Sequence, residues 1–131
     1  MTEFRGRKIY KGKAMGEALV TNVDLSFYGG VDPETGEVVE KDHPLEGKSV
    51  SGKVLVMPSG KGSTVGSYVL YALKKAEKAP IAIINIETDP VIAVGSIISE
   101  IPTVDRIDIE KIETGQKLEV DADRGIVTIQ S

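Results

Sequence analysis

The sequence predicts an α/β fold: a strand-rich core with one dominant helix, or two, packed on it. Three observations carry this. Val54-Leu55-Val56 is a short apolar run, and it leads through the Gly-rich stretch Met57–Ser67 into Val65, Val69, Leu73 and Ala76, which recur at helical spacing. A second continuous apolar run, Ile81–Ile86, follows that helix, with only Asn85 polar near its end. Leu118–Asp121 and Ile126–Ile129 flank Ala122-Asp123-Arg124-Gly125 as the arms of a hairpin.

Taken in chain order, Lys8–Tyr10 is a short strand, and Gly12 and Gly16 bracket a turn. Glu17–Asn22 alternates weakly and suits a strand. Val23–Phe27 then leads into the turn-rich run Tyr28–Gly36, long for a connector, and such loops carry function or move. Glu37–Pro44 is charged and reads as exposed, and Leu45–Lys48 turns the chain into the strand Lys53–Met57. The helix after the Gly-rich turn is ended by Pro80. Ile81–Ile86 is then a buried strand parallel to Lys53–Met57, the two making a βαβ unit. Val91–Ile98 is apolar with Gly95 and suits a short helix or an extended segment. Ile101–Val104 is a strand with Pro102 at its start or on an edge. Ile107–Ile112 alternates Ile with Asp, Glu and Lys. The elements assemble as an α/β sandwich or a β-barrel-like arrangement in one domain, 1–131.

At 131 residues the chain can bury roughly two-thirds of its unfolded surface. Aromatic residues are only 5%, so Val, Ile and Leu carry the packing. The formal charge is −4 and the basic residues form no block, which argues against nucleic acid as the main partner. No apolar run approaches a membrane span and the first residues lack an apolar signal core, so a cytoplasmic setting is expected. The chain has no Cys, which excludes disulfides and thiolate-held clusters within it. Its one His is His43. A Ser–His–Asp triad or a His-based metal site would depend on that residue, and it reads as a solvated loop His.

Chemistry concentrates in Pro58-Ser59-Gly60-Lys61-Gly62-Ser63-Thr64. Glycines let the backbone approach a ligand closely. The unpaired N–H groups and the macrodipole of a helix start make that end electropositive. Lys61 adds a cation and Ser63 a hydroxyl, a set suited to an anion or to a serine oxygen that must lose its proton. The alternative is structural, with Ser63 or Thr64 as the helix N-cap, Gly60 and Gly62 serving the turn, and Lys61 in solvent. A P-loop is excluded by spacing, because Lys61 is followed by Gly62 and Leu55 stands where the first Gly belongs. The dinucleotide fingerprint fails at Val65, where its third Gly belongs.

Three stretches together resemble one family. They are Gly29-Gly30-Val31-Asp32-Pro33-Glu34-Thr35-Gly36 followed by His43-Pro44-Leu45-Glu46-Gly47; Pro58-Ser59-Gly60-Lys61-Gly62-Ser63; and Ala79-Pro80-Ile81-Ala82-Ile83-Ile84 leading to Gly95 and Ile101-Pro102. This ordered set resembles the swivel-domain subunit of the aconitase X family over nearly the whole chain. The resemblance implies a swivelling β/β/α domain that closes over a larger, Cys-bearing subunit holding a [4Fe-4S] cluster. It implies dehydration of a small anionic hydroxy acid: 5-phosphomevalonate, giving trans-anhydromevalonate 5-phosphate, in archaeal members with separate subunits, and hydroxyproline in bacterial relatives.

The family's catalytic serine maps onto Ser63, and Thr64 stands where a second Ser is common. Lys61, Gly62 and Thr64 then become substrate-binding candidates. Gly29, Gly30 and Asp32 are placed beside them from the other Gly loop, against the alternative of an ordinary turn over Asp32–Gly36. No metal ligand is expected on this chain. Two other functions compete. A phosphohistidine carrier would need His43 in a small-residue turn, and the equivalent turn carries Ser63. A non-catalytic assembly module would use the Gly-rich turn only to dock a partner.

Overall fold

Along the central strands, alternate residues face different cores, and this sets the architecture. The computed structural model describes residues 2–130. Its strands are β1 (Thr2–Arg5), β2 (Arg7–Tyr10), β3 (Lys13–Val20), β4 (Leu25–Ser26), β5 (Val54–Val56), β6 (Gly60–Lys61), β7 (Ala82–Ile84), β8 (Thr103–Asp105), β9 (Lys117–Asp121) and β10 (Ile126–Gln130). The helices are α1 (Gly66–Lys75) and α2 (Pro90–Ser99). On β5 and β7, Val54, Val56, Ala82 and Ile84 join one apolar core with Ala18, Val104, Leu118, Val120 and Val127. The intervening Leu55 and Ile83 face the other way, into a core with Leu70, Leu73, Ile92 and Ile101 from the helical side. Strands buried on both faces read as continuous apolar runs rather than alternation, as these two do. Each such Val, Leu or Ile contributes about 1.5–3 kcal/mol on full burial.

Strand order is β1-β10-β9-β3-β5-β7-β8-β2. The two ends of this order are one stretch of chain. Residues 2–5 pair with β10 and residues 7–10 with β8, so the stretch crosses from one sheet edge to the other at Gly6. The crossing is tight: the Gly6 N–H donates to Gly125 O at 2.7 Å, and a Cβ on Gly6 would lie 2.0 Å from Asp105 O. β3 turns a second corner, pairing through residues 13–17 with β9 and through 18–20 with β5. Two sheets thus share corners and enclose the first core like a barrel, while α1 and α2 cover the outer face of the parallel strands. The result is a β/β/α stack. Both βα crossovers, β5–α1–β7 and β7–α2–β8, join parallel strands.

Several sequence expectations change here. The helical layer takes the two-helix form, and because the helices are of equal length neither dominates. Val91–Ile98 is helical because Asp89 caps it, accepting the N–H groups of Val91 and Ile92, with Pro90 at the first position. The helices approach closely over small residues: Ser67 Oγ donates to Val91 O at 2.9 Å, and a Cβ on Gly95 would press on Leu70. α1 ends at Lys75, five residues before Pro80, where Glu77 takes a left-handed conformation and Lys78 N–H closes back onto Leu73 O.

Gly12 and Gly16 do not bracket a turn. Gly16 is mid-strand opposite Leu118, and a side chain there would collide with Ile81. β1 gave no signal, because its apolar content is Phe4 alone. The alternation over Ile107–Ile112 marks a segment with a 3-10 turn at Ile109–Lys111 that places Ile107, Ile109 and Ile112 in the barrel core. The charged run 37–44 is not simply exposed, since Val38 and His43 are buried.

Candidate active site

The parallel strands end, at their C-terminal side, in a set of locked turns. Asn85 is fully buried and donates through Nδ2 to Met57 O and Ile84 O, while its Oδ1 accepts the Thr88 hydroxyl. Pro58 O accepts the N–H groups of Ile86 and Glu87. The Asp105 carboxylate, also buried, takes a two-pronged bond from Arg7 (3.0 and 2.8 Å) and the Thr88 N–H. Crevices outside the carboxyl ends of parallel strands are where open α/β sheets bind ligands. The Gly-rich turn leaves β5 at this end.

That turn is held from two sides. Gly60 and Lys61 pair in parallel with Leu25 and Ser26, and Gly60 N–H donates to Asp89 Oδ1 at 3.1 Å. Asp89 therefore caps α2 and pins the segment leading into α1, so both helices begin at one turn. A Cβ on Gly60 would lie 2.7 Å from that carboxylate oxygen. Gly62 has φ +88, and a Cβ there would lie 2.5 Å from Ser26 Oγ. Only glycine satisfies both the conformation and the contact.

Ser63 is exposed. Its Oγ accepts the Val65 N–H at 3.1 Å, and its carbonyl accepts the Gly66 N–H as α1 begins. No histidine or carboxylate is hydrogen-bonded to the hydroxyl among the described residues. The N–H groups of Gly62, Ser63 and Thr64 likewise meet no acceptor there. The first turn of α1 carries no acid, and its N-cap position, Val65, makes no side-chain cap bond, so nothing offsets the helix dipole. Three unpaired amides thus precede a ten-residue helix whose first turn carries no acid, a set suited to an anion or an oxyanion. The hydroxyl of Thr64 adjoins it.

The other candidates divide. Lys61 is half-exposed and its Nζ lies 2.7 Å from Glu40 Oε2, so its charge is paired rather than free. Gly30 is packed into the same corner, where a Cβ would lie 2.0 Å from Ser26 O and 3.0 Å from Glu40 Oε1. Gly29 faces open space. Gly30, Lys61 and Gly62 thus meet around Ser26. Asp32 is engaged in its own turn: its Oδ1 accepts the Glu34 N–H and its carbonyl the Gly36 N–H.

His43 is not a solvated loop residue. It is 6% exposed, with Nε2 donating toward Val23 O and Asp24 O and Nδ1 accepting the Leu45 N–H. It ties two loops together and has no hydrogen bond to the Ser63 turn. Two residues escaped the sequence reading. Asp89-Pro90 ahead of an apolar run is a helix-start signal, legible in principle. Glu40, inside a charged run, carries none. Burial works against the charge of Glu40, but the Lys61 ammonium and the Ser26 N–H outweigh it and hold the carboxyl below its ordinary range.

The β/β/α stack is the architecture expected of a swivel domain of the aconitase type. The family model described as the aconitase X swivel domain matches residues 3–129, and the chain belongs to that family. It is 57% identical over 127 residues to the phosphomevalonate dehydratase small subunit of Thermococcus kodakarensis, covering 97% of this chain and 96% of that one. It is 54% identical to the protein of that name from Methanosarcina mazei, covering 97% and 90%. The crystal structure of Thermococcus kodakaraensis aconitase X in its holo form superposes with a TM-score of 0.98 at 55% identity, covering both chains completely. A 3-isopropylmalate dehydratase structure from Methanocaldococcus jannaschii shares the fold alone, at TM-score 0.60 and 16% identity over 91% and 82% of the chains.

The iron–sulfur cluster that the aconitase resemblance implies finds no donor set on this chain. There is no Cys, and no group of three or more His, Asp or Glu among the described residues is placed to hold a metal. No helix there is long and apolar enough to cross a membrane.

Proposed function

We propose that this chain is the small subunit of a heteromeric hydro-lyase. With a Cys-bearing large subunit, it dehydrates a phosphorylated hydroxy acid, 5-phosphomevalonate, to trans-anhydromevalonate 5-phosphate. The observation that carries the reading is the exposed Ser63 hydroxyl among the free amides at the start of α1. In this reading Ser63 Oγ takes the proton from the carbon next to the substrate carboxylate. The C–H electron pair becomes the new double bond, and the hydroxyl departs on the side of the site formed by the partner. The Gly62 and Thr64 amides stabilise the serine oxygen while it is unprotonated, and the same row or Lys61 holds the anionic group of the substrate.

Magnitudes require closure. An exposed helix-end interaction supplies about 0.3–1 kcal/mol, rising to about 2 in partly buried geometry. One pKa unit is about 1.36 kcal/mol, so one such interaction in an open turn lowers a serine pKa by less than about one unit. A working base needs several times more. Excluding water strengthens each dipole contact, and covering the turn with the large subunit does this.

The test is reconstitution under anaerobic conditions with iron and sulfide. Conversion of 5-phosphomevalonate is expected only when both chains are present, and the isolated small chain should bind no iron. Turnover by either chain alone would overturn the proposal. A mixture that dehydrates hydroxyproline but not 5-phosphomevalonate would overturn the substrate.

A further inference from the structure

The carboxylate beneath the serine turn has no place in the proton transfer just described, yet it contacts most of the turn's supports. Glu40 Oε1 accepts the Ser26 N–H at 3.0 Å, and Oε2 lies 2.7 Å from Lys61 Nζ. Its own backbone is fixed to the same loop, because the N–H groups of Val39 and Glu40 both donate to Gly30 O, at 2.8 and 3.1 Å. Ser26 is the residue opposite Lys61 in the β4–β6 pair, and its side chain fills the space a Gly62 side chain would need. One carboxylate thus joins the 26–30 loop to the segment that ends in Ser63.

We infer that Glu40 is a positioning residue: through Ser26 and Lys61 it fixes the serine turn against the 26–30 loop and serves as the resident counter-charge that a substrate anion replaces on Lys61. This rests on the reading of the Ser63 turn as the site of proton transfer. The two ends of the pair differ in a way that suits exchange. The Glu40 side chain is 22% exposed and held by two partners, whereas the Lys61 side chain is 44% exposed and has this one ionic partner among the described residues. Ion pairs with such an exposed member contribute only about 0–1 kcal/mol, so an arriving phosphate can take over the ammonium at little cost. Glu40 meanwhile stays on the Ser26 N–H and keeps the loop in place. The pair therefore adds little to folding, and its consequence falls on geometry and charge at the turn.

The test uses the reconstituted heteromer and 5-phosphomevalonate, with melting temperature measured beside kinetics. Glu40→Gln keeps an oxygen for the Ser26 N–H and removes the charge. It should melt like the wild type, leave kcat within about twofold because the Ser26 bond survives, and lower KM about threefold because the competitor for Lys61 is gone. Glu40→Ala should lower kcat about tenfold, because the loop loses its tie to Ser26, together with a reduced melting temperature. In the background of Lys61→Ala, Glu40→Gln should have little further effect, since the two act through one contact.

A purely structural Glu40 leaves the KM of Glu40→Gln at the wild-type value, with only Glu40→Ala impaired. That result, or full additivity with Lys61→Ala, overturns the inference. If Glu40→Ala fails to assemble, Glu40→Gln decides alone. Ser63→Gly assayed in parallel separates the two levels. An active Ser63→Gly enzyme removes the underlying reading, while an inactive one beside a wild-type Glu40→Gln removes only the role of Glu40.

Discussion

Replacing Ser63 by Gly and by Ala separates two duties, holding the turn ahead of α1 and acting as base. Among the described residues the hydroxyl makes one hydrogen bond, accepting the Val65 N–H at 3.1 Å, and the residue is exposed. The N-cap position is Val65, so this contact is worth no more than the lower end of the ~0.5–2 kcal/mol of a cap, and Gly retains all but a few tenths of that. For a chain of this size, about 1 kcal/mol corresponds to a fall of roughly 3–5 °C in Tm. Ser63→Ala should lose about half of that, roughly 2 °C, and Ser63→Gly about a degree. As a base, either substitution should cut kcat by ~10²-fold or more, equivalent to about 2.7 kcal/mol of barrier. The activation cost exceeds the stability cost, most clearly in the Gly variant, so the two roles resolve experimentally. The assay is steady-state dehydration by the reconstituted heteromer, with scanning calorimetry and solvent exchange of the substrate α-proton followed by NMR. Ser63→Gly should assemble, melt within a degree or two of wild type, and lose both turnover and exchange. Wild-type turnover in that variant would refute the assignment and move the base to the partner.

Lys61→Ala should raise KM for 5-phosphomevalonate, and the effect should shrink for a substrate lacking the phosphate. Equal effects on both would show that Lys61 serves the serine oxygen or the fold. Asp105 supplies a pH test. Burial alone would raise its pKa, but the bonds from Arg7 and Thr88 prevail and hold it below the ordinary 3.8. A depressed folded pKa contributes stability that is complete above the ordinary value and lost as pH falls through the folded one. Arg7→Gln removes the main partner, so the melting-temperature gap between wild type and Arg7→Gln should be wide at pH 7 and narrow toward pH 3. A gap independent of pH would mean the ion pair contributes nothing through Asp105.

The residues alone determined the parts of this protein that depend on local pattern. Val54-Leu55-Val56 and Ile81–Ile86 had to be buried on both faces, and Gly62 between a strand and an apolar helical face had to be a turn at a helix start, because backbone sterics and apolar periodicity act within a few residues. The absence of Cys likewise excluded thiolate ligands on this chain. Tertiary structure decided what depends on contacts between distant segments. Thr2–Tyr10 is split between two sheets at Gly6 because its partners are β10 and β8, about a hundred residues away in sequence. Ile107–Ile112 has strand-like alternation but turns inward because the barrel needed plugging. His43 and Glu40 sit in one charged run that reads as solvated. Yet His43 is buried among the carbonyls of Val23 and Asp24, and Glu40 is clamped between Ser26 and Lys61. A charged side chain carries its charge in the sequence, but the partner that makes the charge useful is chosen only when the chain closes on itself.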